Sequence, residues 1–264
     1  MSPIFPNGLS RRTWQVWRRN WDVYQKTWQI NFLPPILEPI FYLLAFGAGL
    51  GTLVGVVRYQ GLSLSYVTFI APGLISVAIM YNSFFENTYS SFVRMYYQKT
   101  YDALLATPLV LEEVIVGEIA WGATKALLAG ALMVAVVAFF GVLSWPHALL
   151  ILPLSLLGGA AFGASAMCFT AICPRIETFN LPVFLFITPM FLFSGTFFPL
   201  EALPRWAQLL ALALPLTHLV TLVRAASLGR FELFQTAWGL AYLAVFTAVT
   251  FPLAIVLMRR RLVK

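Results

Sequence analysis

Charge is scarce in this sequence. Asp, Glu, Lys and Arg supply 10% of its 264 residues, where a soluble domain carries about 25%. Apolar residues supply 60%, too many for a chain to cover in water, so a soluble globular protein is excluded. Cysteine is scarce too: Cys168 and Cys173 are the only two, and no histidine or acidic cluster stands beside them. Zinc-ligand spacing and a disulfide framework are both absent, and the pair read as small packing residues. Catalytic signatures are missing as well. There is no GxxxxGK(S/T) phosphate loop, no HExxH and no GxSxG. His147 and His218 have no nucleophile or carboxylate arranged around them, so the chain is expected to catalyse nothing by itself.

What is present is a series of long apolar runs. They fall at 34–57, 67–93, 117–141, 148–173, 179–199 and 236–258, each near the roughly 20 residues a span requires. The expected fold is an all-α integral membrane protein with six transmembrane helices. Positive charge near span ends stays on the cytoplasmic side. Arg11, Arg12, Arg18, Arg19 and Lys26 precede the first run, and Arg259, Arg260, Arg261 and Lys264 follow the last. Both termini are therefore expected inside, which requires an even number of crossings. The loop at 94–116 carries Arg94 and Lys99 and the turn at 174–178 carries Arg175, whereas 142–147 has no cation and 58–66 only Arg58.

The stretch 200–235 is apolar but divided by Pro204 and Pro215 just after Pro199. The run between those two prolines is too short to span, and a seventh crossing would put the arginine-rich C-terminus outside. It reads as a re-entrant helical hairpin dipping in from the outer face, with His218 and Arg224 in its second arm.

Residues 1–33 show no signal peptide but a helical aromatic stripe. Trp14, Trp17, Trp21, Tyr24 and Trp28 share an arc of about 80° at helical periodicity, with cations on the adjoining faces. This pattern predicts an amphipathic helix lying in the cytoplasmic headgroup plane, anchored by those five side chains.

Ionisable residues inside spans are costly in lipid and are default functional candidates. Glu38 lies one turn into the first run, where it either serves function or is simply wetted at the interface. Asn82, Glu86 and Ser90 follow i, i+4, i+8 spacing in the second run, with Ser83, Asn87 and Ser91 beside them. That polar face either lines a pathway or holds helices together. Lys125, the only cation within the predicted runs, shares a face with Glu118 two turns away, and its predicted partner is Glu86. Between the second and third runs, Tyr101, Asp102, Ala103, Leu104 and Leu105 can form a short helix that must end before Pro108 and Leu109. Such an element is either a docking site for a soluble partner or a solvated connector, with Glu112 and Glu113 following it.

Two long runs resemble the ABC-2 family of ATP-binding-cassette transporter permeases, and more closely its branch of nodulation lipo-oligosaccharide exporters. They are Tyr101 to Gly130 and Ser194 to Gly229. The resemblance implies that 1–33 is the interfacial helix and 34–264 the transmembrane domain, with a coupling loop at 94–116 and a hairpin at 200–235. It implies that Tyr101–Leu111 docks on a separate ATPase subunit, that two permeases and two ATPases form the transporter, and that ATP and Mg belong to the partner. The chain itself would need no cofactor. The implied cargo is a lipo-oligosaccharide or similar amphiphile leaving through a bacterial inner membrane; membrane lipid is the surroundings and no nucleic acid is involved. Phe184, Phe186, Phe191, Phe193, Phe197 and Phe198 either suit an amphiphilic path or face lipid. Export of hydrophobic drugs and a stand-alone secondary transporter are the competing readings. The second would need repeated halves with ion sites at broken helices, and no internal repeat is visible.

Overall fold

The computed structural model describes residues 11–28, 37 and 40–263, without the side chain of Ala48. Helix α1 (Thr13–Lys26) precedes the bundle. The described apolar helices are α2 (Ile40–Val54), α3 (Tyr66–Tyr97), α5 (Leu111–Phe139), α6 (His147–Ile172), α7 (Ile176–Phe193) and α10 (Leu233–Leu262). Between α3 and α5 lies the short α4 (Thr100–Leu105). Between α7 and α10 lie α8 (Arg205–Leu212) and α9 (Pro215–Leu228), bent by 84° relative to one another. The five helices from α3 onward other than α4, α8 and α9 are each long and apolar enough to cross a bilayer, and the chain is an all-α membrane protein in its main architecture. Glu38 lies outside the described residues.

Several boundaries differ from those expected. The second run does not stop at 93: α3 continues to Tyr97, so the loop expected at 94–116 shrinks to 98–110. Helix α5 begins at Leu111, not near 117, because its first-turn acids suit the positive end of a helix. The Glu113 carboxylate accepts from the Val110 N–H at 3.1 Å. Helix α7 ends at Phe193 rather than 199, and α10 extends over Leu233–Leu262 rather than 236–258. The loop near 58–66 is a hairpin of β1 (Val56–Tyr59) and β2 (Leu62–Ser65), with Tyr59 paired to Leu62. Both turn residues have positive φ, 47° at Gln60 and 75° at Gly61, the two-residue geometry that matches strand twist.

Helices α3, α5 and α6 make the centre. Lipid gives apolar helices no hydrophobic reason to associate, so small residues and polar contacts decide where they meet. A Cβ added at Gly159 would lie 2.7 Å from the Ala126 Cβ, and one at Gly163 2.9 Å from the Asn87 amide nitrogen. The backbones approach closely enough for Ser83 to donate to the Gly159 carbonyl at 2.5 Å. Thr170 donates to the Asn87 carbonyl at 2.6 Å. Ile75, Ile79, Met80, Phe84 and Phe162 fill the space between.

Contacts sort the elements into two ends. At one end, Arg12 donates to the Pro108 carbonyl at 2.7 Å, Arg259 pairs with Glu112, and Arg261 donates to the Thr170 and Cys173 carbonyls at the close of α6. Helix α1, the 98–110 loop and the end of α10 therefore share that end. At the other, the Ser144 backbone N–H donates to the Ser227 carbonyl at 2.7 Å, and Gln60 donates to Gln235 at 2.8 Å.

The bend between α8 and α9 has a local cause. Pro215 occupies the first turn of α9, where its missing N–H costs nothing. At the close of α8 the Ala211 carbonyl accepts from the Leu214 N–H at 3.0 Å and also from the Thr217 hydroxyl at 2.6 Å, and the Leu212 carbonyl accepts from His218 at 3.0 Å. Pro204 caps the start of α8, and Pro199 precedes the single turn Leu200–Ala202. Tyr242 donates to the Ala213 carbonyl at 2.6 Å. At ~1.5 Å per residue, Tyr242 is about 14 Å down α10 from Leu233, so the tip of the bent pair reaches well below its ends.

Candidate functional site

The candidate site grows from the lower half of α3. That segment contains widened turns at Glu86–Ser90 and Val93–Tyr97. A turn closed i to i+5 lags the usual helical rotation, a feature common at functional sites. Over the eight residues from Glu86 to Arg94 it narrows the roughly 80° that a regular helix leaves between i and i+8. Arg94 donates to Glu86 Oε1 at 2.6 Å and to Glu118 Oε2 at 2.9 Å through Nε and 2.5 Å through a terminal nitrogen. Lys125 Nζ lies 2.9 Å from Glu86 Oε2, and the Trp121 indole donates to Glu86 Oε1 at 3.0 Å. Glu118 also receives Ser91 at 2.7 Å and Asn20 of α1 at 2.9 Å.

The cluster is thus two carboxylates and two cations, each carboxylate paired with a cation and the formal charges balanced. Buried charges persist only when paired and bonded in this way. Glu118, Trp121 and Lys125 stand at i, i+3, i+7 on α5, one helical face turned toward α3. Beside them opens a cleft of about 360 Å³, lined by Arg19, Tyr24, Glu86, Ser90, Arg94 and Lys125.

The polar face expected along α3 divides. Ser83, Asn87 and Ser91 are buried between helices and act as helix contacts, whereas Glu86 and Ser90 border the cleft. Asn82 belongs to neither group; its amide donates back to the Ala78 carbonyl at 2.9 Å. Lys125 is not the only cation within a helix of the bundle. Arg94, expected in a loop, is inside α3, and Arg224 is 3% exposed in α9.

Part of the aromatic stripe of α1 packs against α5. Trp17, Trp21 and Tyr24 pack edge-on around Trp121 at 6.2, 6.2 and 5.6 Å, and Trp17 donates to Thr124 at 2.8 Å. Trp14 and Trp28, by contrast, are exposed. Val16 is buried against Gly117, where an added Cβ would come within 2.6 Å. Below the cluster, α4 points Tyr101 inward. Tyr101 is fully buried, and burial, with Glu118 adding, pushes its phenol well above the ordinary value. Leu109 is buried at the far side of the same loop, while Asp102, Ala103 and Pro108 between them are exposed and Leu104 and Leu105 half-buried.

Arg94 and Asn20 are not legible in the sequence as site residues. Arg94 sat just past a hydropathy window, and Asn20 broke no pattern on a helix already rich in polar residues. Trp121 was readable in principle, from its i+3 and i−4 spacing to Glu118 and Lys125.

Residues 11–228 match the ABC-2 type transporter family. This chain belongs to the ABC-2 transporter family. Over 247 residues it is 39% identical to Nodulation protein J of Sinorhizobium fredii, covering 94% of this chain and 92% of that protein. It is 38% identical to Nodulation protein J of Rhizobium leguminosarum bv. viciae over 249 residues, 94% of each. The inner membrane transport permease YadH of Escherichia coli K12 is 27% identical over 202 residues, 75% of this chain and 76% of that one. No solved structure matches. For an ABC-2 permease, the geometry has a simple consequence: Arg94 ties α3 to α5, and Asn20 ties both to α1.

The Lys125–Glu86 contact can be measured on its own. Lys125→Ala, Glu86→Ala and the double variant, followed by thermal unfolding of the purified protein, should show a coupling of about 0.5–3 kcal/mol, the range for bonded neighbours. Strictly additive losses would remove the pair from the account.

Proposed function

We propose that this chain is the permease subunit of an ATP-driven exporter moving a lipo-oligosaccharide or similar amphiphile out across a bacterial inner membrane. The observation that carries the reading is α4. In an ABC-2 permease, α4 and the turn after it present Asp102, Ala103 and Pro108 outward while the buried Tyr101 and Leu109 anchor the two ends. A docked ATPase that moved α4 would push on Tyr101 and, through it, on the Arg94–Glu118 contact between spans. The sequence has no phosphate loop of its own, so ATP and Mg are assigned to two copies of a separate ATPase, working with two copies of this chain.

Six crossings with both termini cytoplasmic are supported by the sorting of the ends. Helix α1 and the close of α10 share an end, and α7 closes at the end where α10 begins, so α8 and α9 must go in and return. With Leu233 set at the outer boundary of a ~30 Å hydrocarbon layer, this reading puts their tip near Ala213 about midway into it. Exposed Trp14 and Trp28 suit a helix at the headgroup level, while the packed Trp17 and Trp21 fasten it to the bundle. The cleft beside Arg19 and Lys125 gives a polar head an entry point at the inner side. The name of YadH, an inner membrane transport permease, agrees with that location.

The test is co-purification. Co-expressed with a candidate ATP-binding-cassette ATPase from the same genome, the intact permease should retain that subunit through purification. Replacing 101–111 with a Gly/Ser linker should abolish the association while the permease still accumulates in the membrane. Retained binding would overturn the docking assignment. Reconstitution of both subunits with lipid-linked glycans and drugs, scored by stimulated ATPase activity, then separates the two cargo classes.

A further inference from the structure

At the end of the bundle opposite α4, four elements enclose a cavity of about 430 Å³. Its walls come from the β-hairpin, α8, α9 and the first turns of α10, and its volume lies in the range of ~300–1,000 Å³ typical of small-molecule sites. One buried charge stands in that wall. Arg224 is 3% exposed, held between the rings of Phe69 at 4.1 Å and Tyr59 at 5.0 Å. One terminal nitrogen donates to the carbonyls of Gly195 at 2.8 Å and Phe69 at 3.2 Å. Its Nε is buried with no partner, and no ion pair among the described residues includes it. Glu201 also borders the cavity but is exposed to solvent.

A buried cation held by carbonyls, ring faces and the Tyr59 phenol, with only the solvent-exposed Glu201 carboxylate acting on it, is a poor end state; a directly bonded counter-anion would improve it. The rest of the wall says what should carry that anion. Gln60 and Gln235 bond to each other through one end of each amide, and Gln208 uses its nitrogen on the Leu203 carbonyl. Each therefore keeps one free amide end beside the cavity. Trp238, 58% exposed, contributes an aromatic face at the rim. Planar amides that accept or donate, with an aromatic plane alongside, suit a ring bearing hydroxyls on its edge and C–H groups on its face. An acyl chain would leave the amides and the guanidinium unpaired.

We propose that this cavity binds an acidic saccharide, the head of the exported amphiphile, on the outer side of the membrane. The assignment rests on the exporter reading above and names the chemistry of its cargo: a sugar with a carboxylate or sulfate placed on Arg224. The sugar ring lies against Trp238 and its hydroxyls meet the three glutamines.

The test uses the full-length permease in lipid nanodiscs, titrated calorimetrically with trigalacturonate, maltotriose and inorganic sulfate. Trigalacturonate should bind roughly tenfold or more tighter than maltotriose, the scale of one charge-assisted bond. Arg224→Gln should erase that preference. Because Arg224 is buried and its loss can impair folding, Trp238→Ala supplies a second variant at an exposed position; it should weaken trigalacturonate roughly fivefold. Equal binding of the two trisaccharides, or an unchanged affinity in Trp238→Ala, would overturn the assignment. Sulfate binding as tight as trigalacturonate would overturn the saccharide and leave a bare anion site. Failed trigalacturonate binding beside intact ATPase co-purification sinks the cavity assignment alone. Lost co-purification beside intact binding sinks the exporter reading, and with it the identity of the sugar as cargo.

Discussion

Replacing Arg94 with alanine should leave a permease that barely accumulates, destabilised by about 3–5 kcal/mol, the cost of breaking a buried ion pair from one side. The reason is the number of groups it satisfies. Arg94 bonds both carboxylates of the cluster, and Glu118 is fully buried, so its loss leaves a carboxylate in a low-dielectric site without its main partner. Lys125→Ala should cost less, because Lys125 makes a single bond to Glu86 and Glu86 keeps Arg94 and Trp121. The informative variant removes the charges together. Glu86→Gln, Arg94→Met and Glu118→Gln in one chain should recover much of the lost stability, since the two buried carboxylates and Arg94 are neutralised together and Lys125, whose side chain is 19% exposed at the cleft, can turn its ammonium to water. Unfolding midpoints of the purified variants, read by intrinsic fluorescence, measure all three. If Arg94→Ala unfolds with the parent and the triple variant is the worst, the cluster does not hold α3 to α5.

Gly122→Leu is expected to prevent assembly of the bundle. Gly122 sits where α5 crosses α3, and even a bare Cβ there would overlap the Asn87 amide and come within 3.2 Å of the Ser83 hydroxyl. Asn87 has no exposure, and its amide already donates to the Ser83 carbonyl at 3.1 Å, so it has little room to turn away. Overpacking by a methyl costs typically about 1–3 kcal/mol, which sets the scale for Gly122→Ala; leucine adds three more carbons at the same point. A second change makes the cause specific. Asn87→Ala removes the colliding group, so Gly122→Ala combined with Asn87→Ala should be more stable than Gly122→Ala alone. Membrane accumulation and unfolding midpoints report both. A double variant weaker than either single would exclude collision as the cause.

Much of the architecture could be read without coordinates. Pro204 and Pro215 marked where the chain between α7 and α10 turns, because proline cannot continue a helix and readily starts one. The aromatic spacing from Trp14 to Trp28 implied a helix, and Glu86 stood out because a carboxylate in an apolar run needs a reason. The hairpin at Val56–Ser65 was missed: two four-residue strands at a span end look like any polar loop until their pairing is seen.

Sequence alone determined that this chain lives in a membrane, which segments are apolar enough to lie in it, and that it belongs with ABC-2 permeases. The first two rest on composition and apolar runs, and the third on the resemblance of Tyr101–Gly130 and Ser194–Gly229 to the family; none of them needs a contact between distant segments. Tertiary structure decided which polar residues work together. Arg94 reads as a loop cation until widened turns rotate it beside Glu86, and Trp21 reads as a lipid anchor until Trp121 is found under it. Arg224 reads as an ordinary outer-face charge until α9 is folded back against α3 and the hairpin covers it. Pairing between distant segments is set by helix rotation and close backbone approach, and neither leaves a mark in a linear pattern.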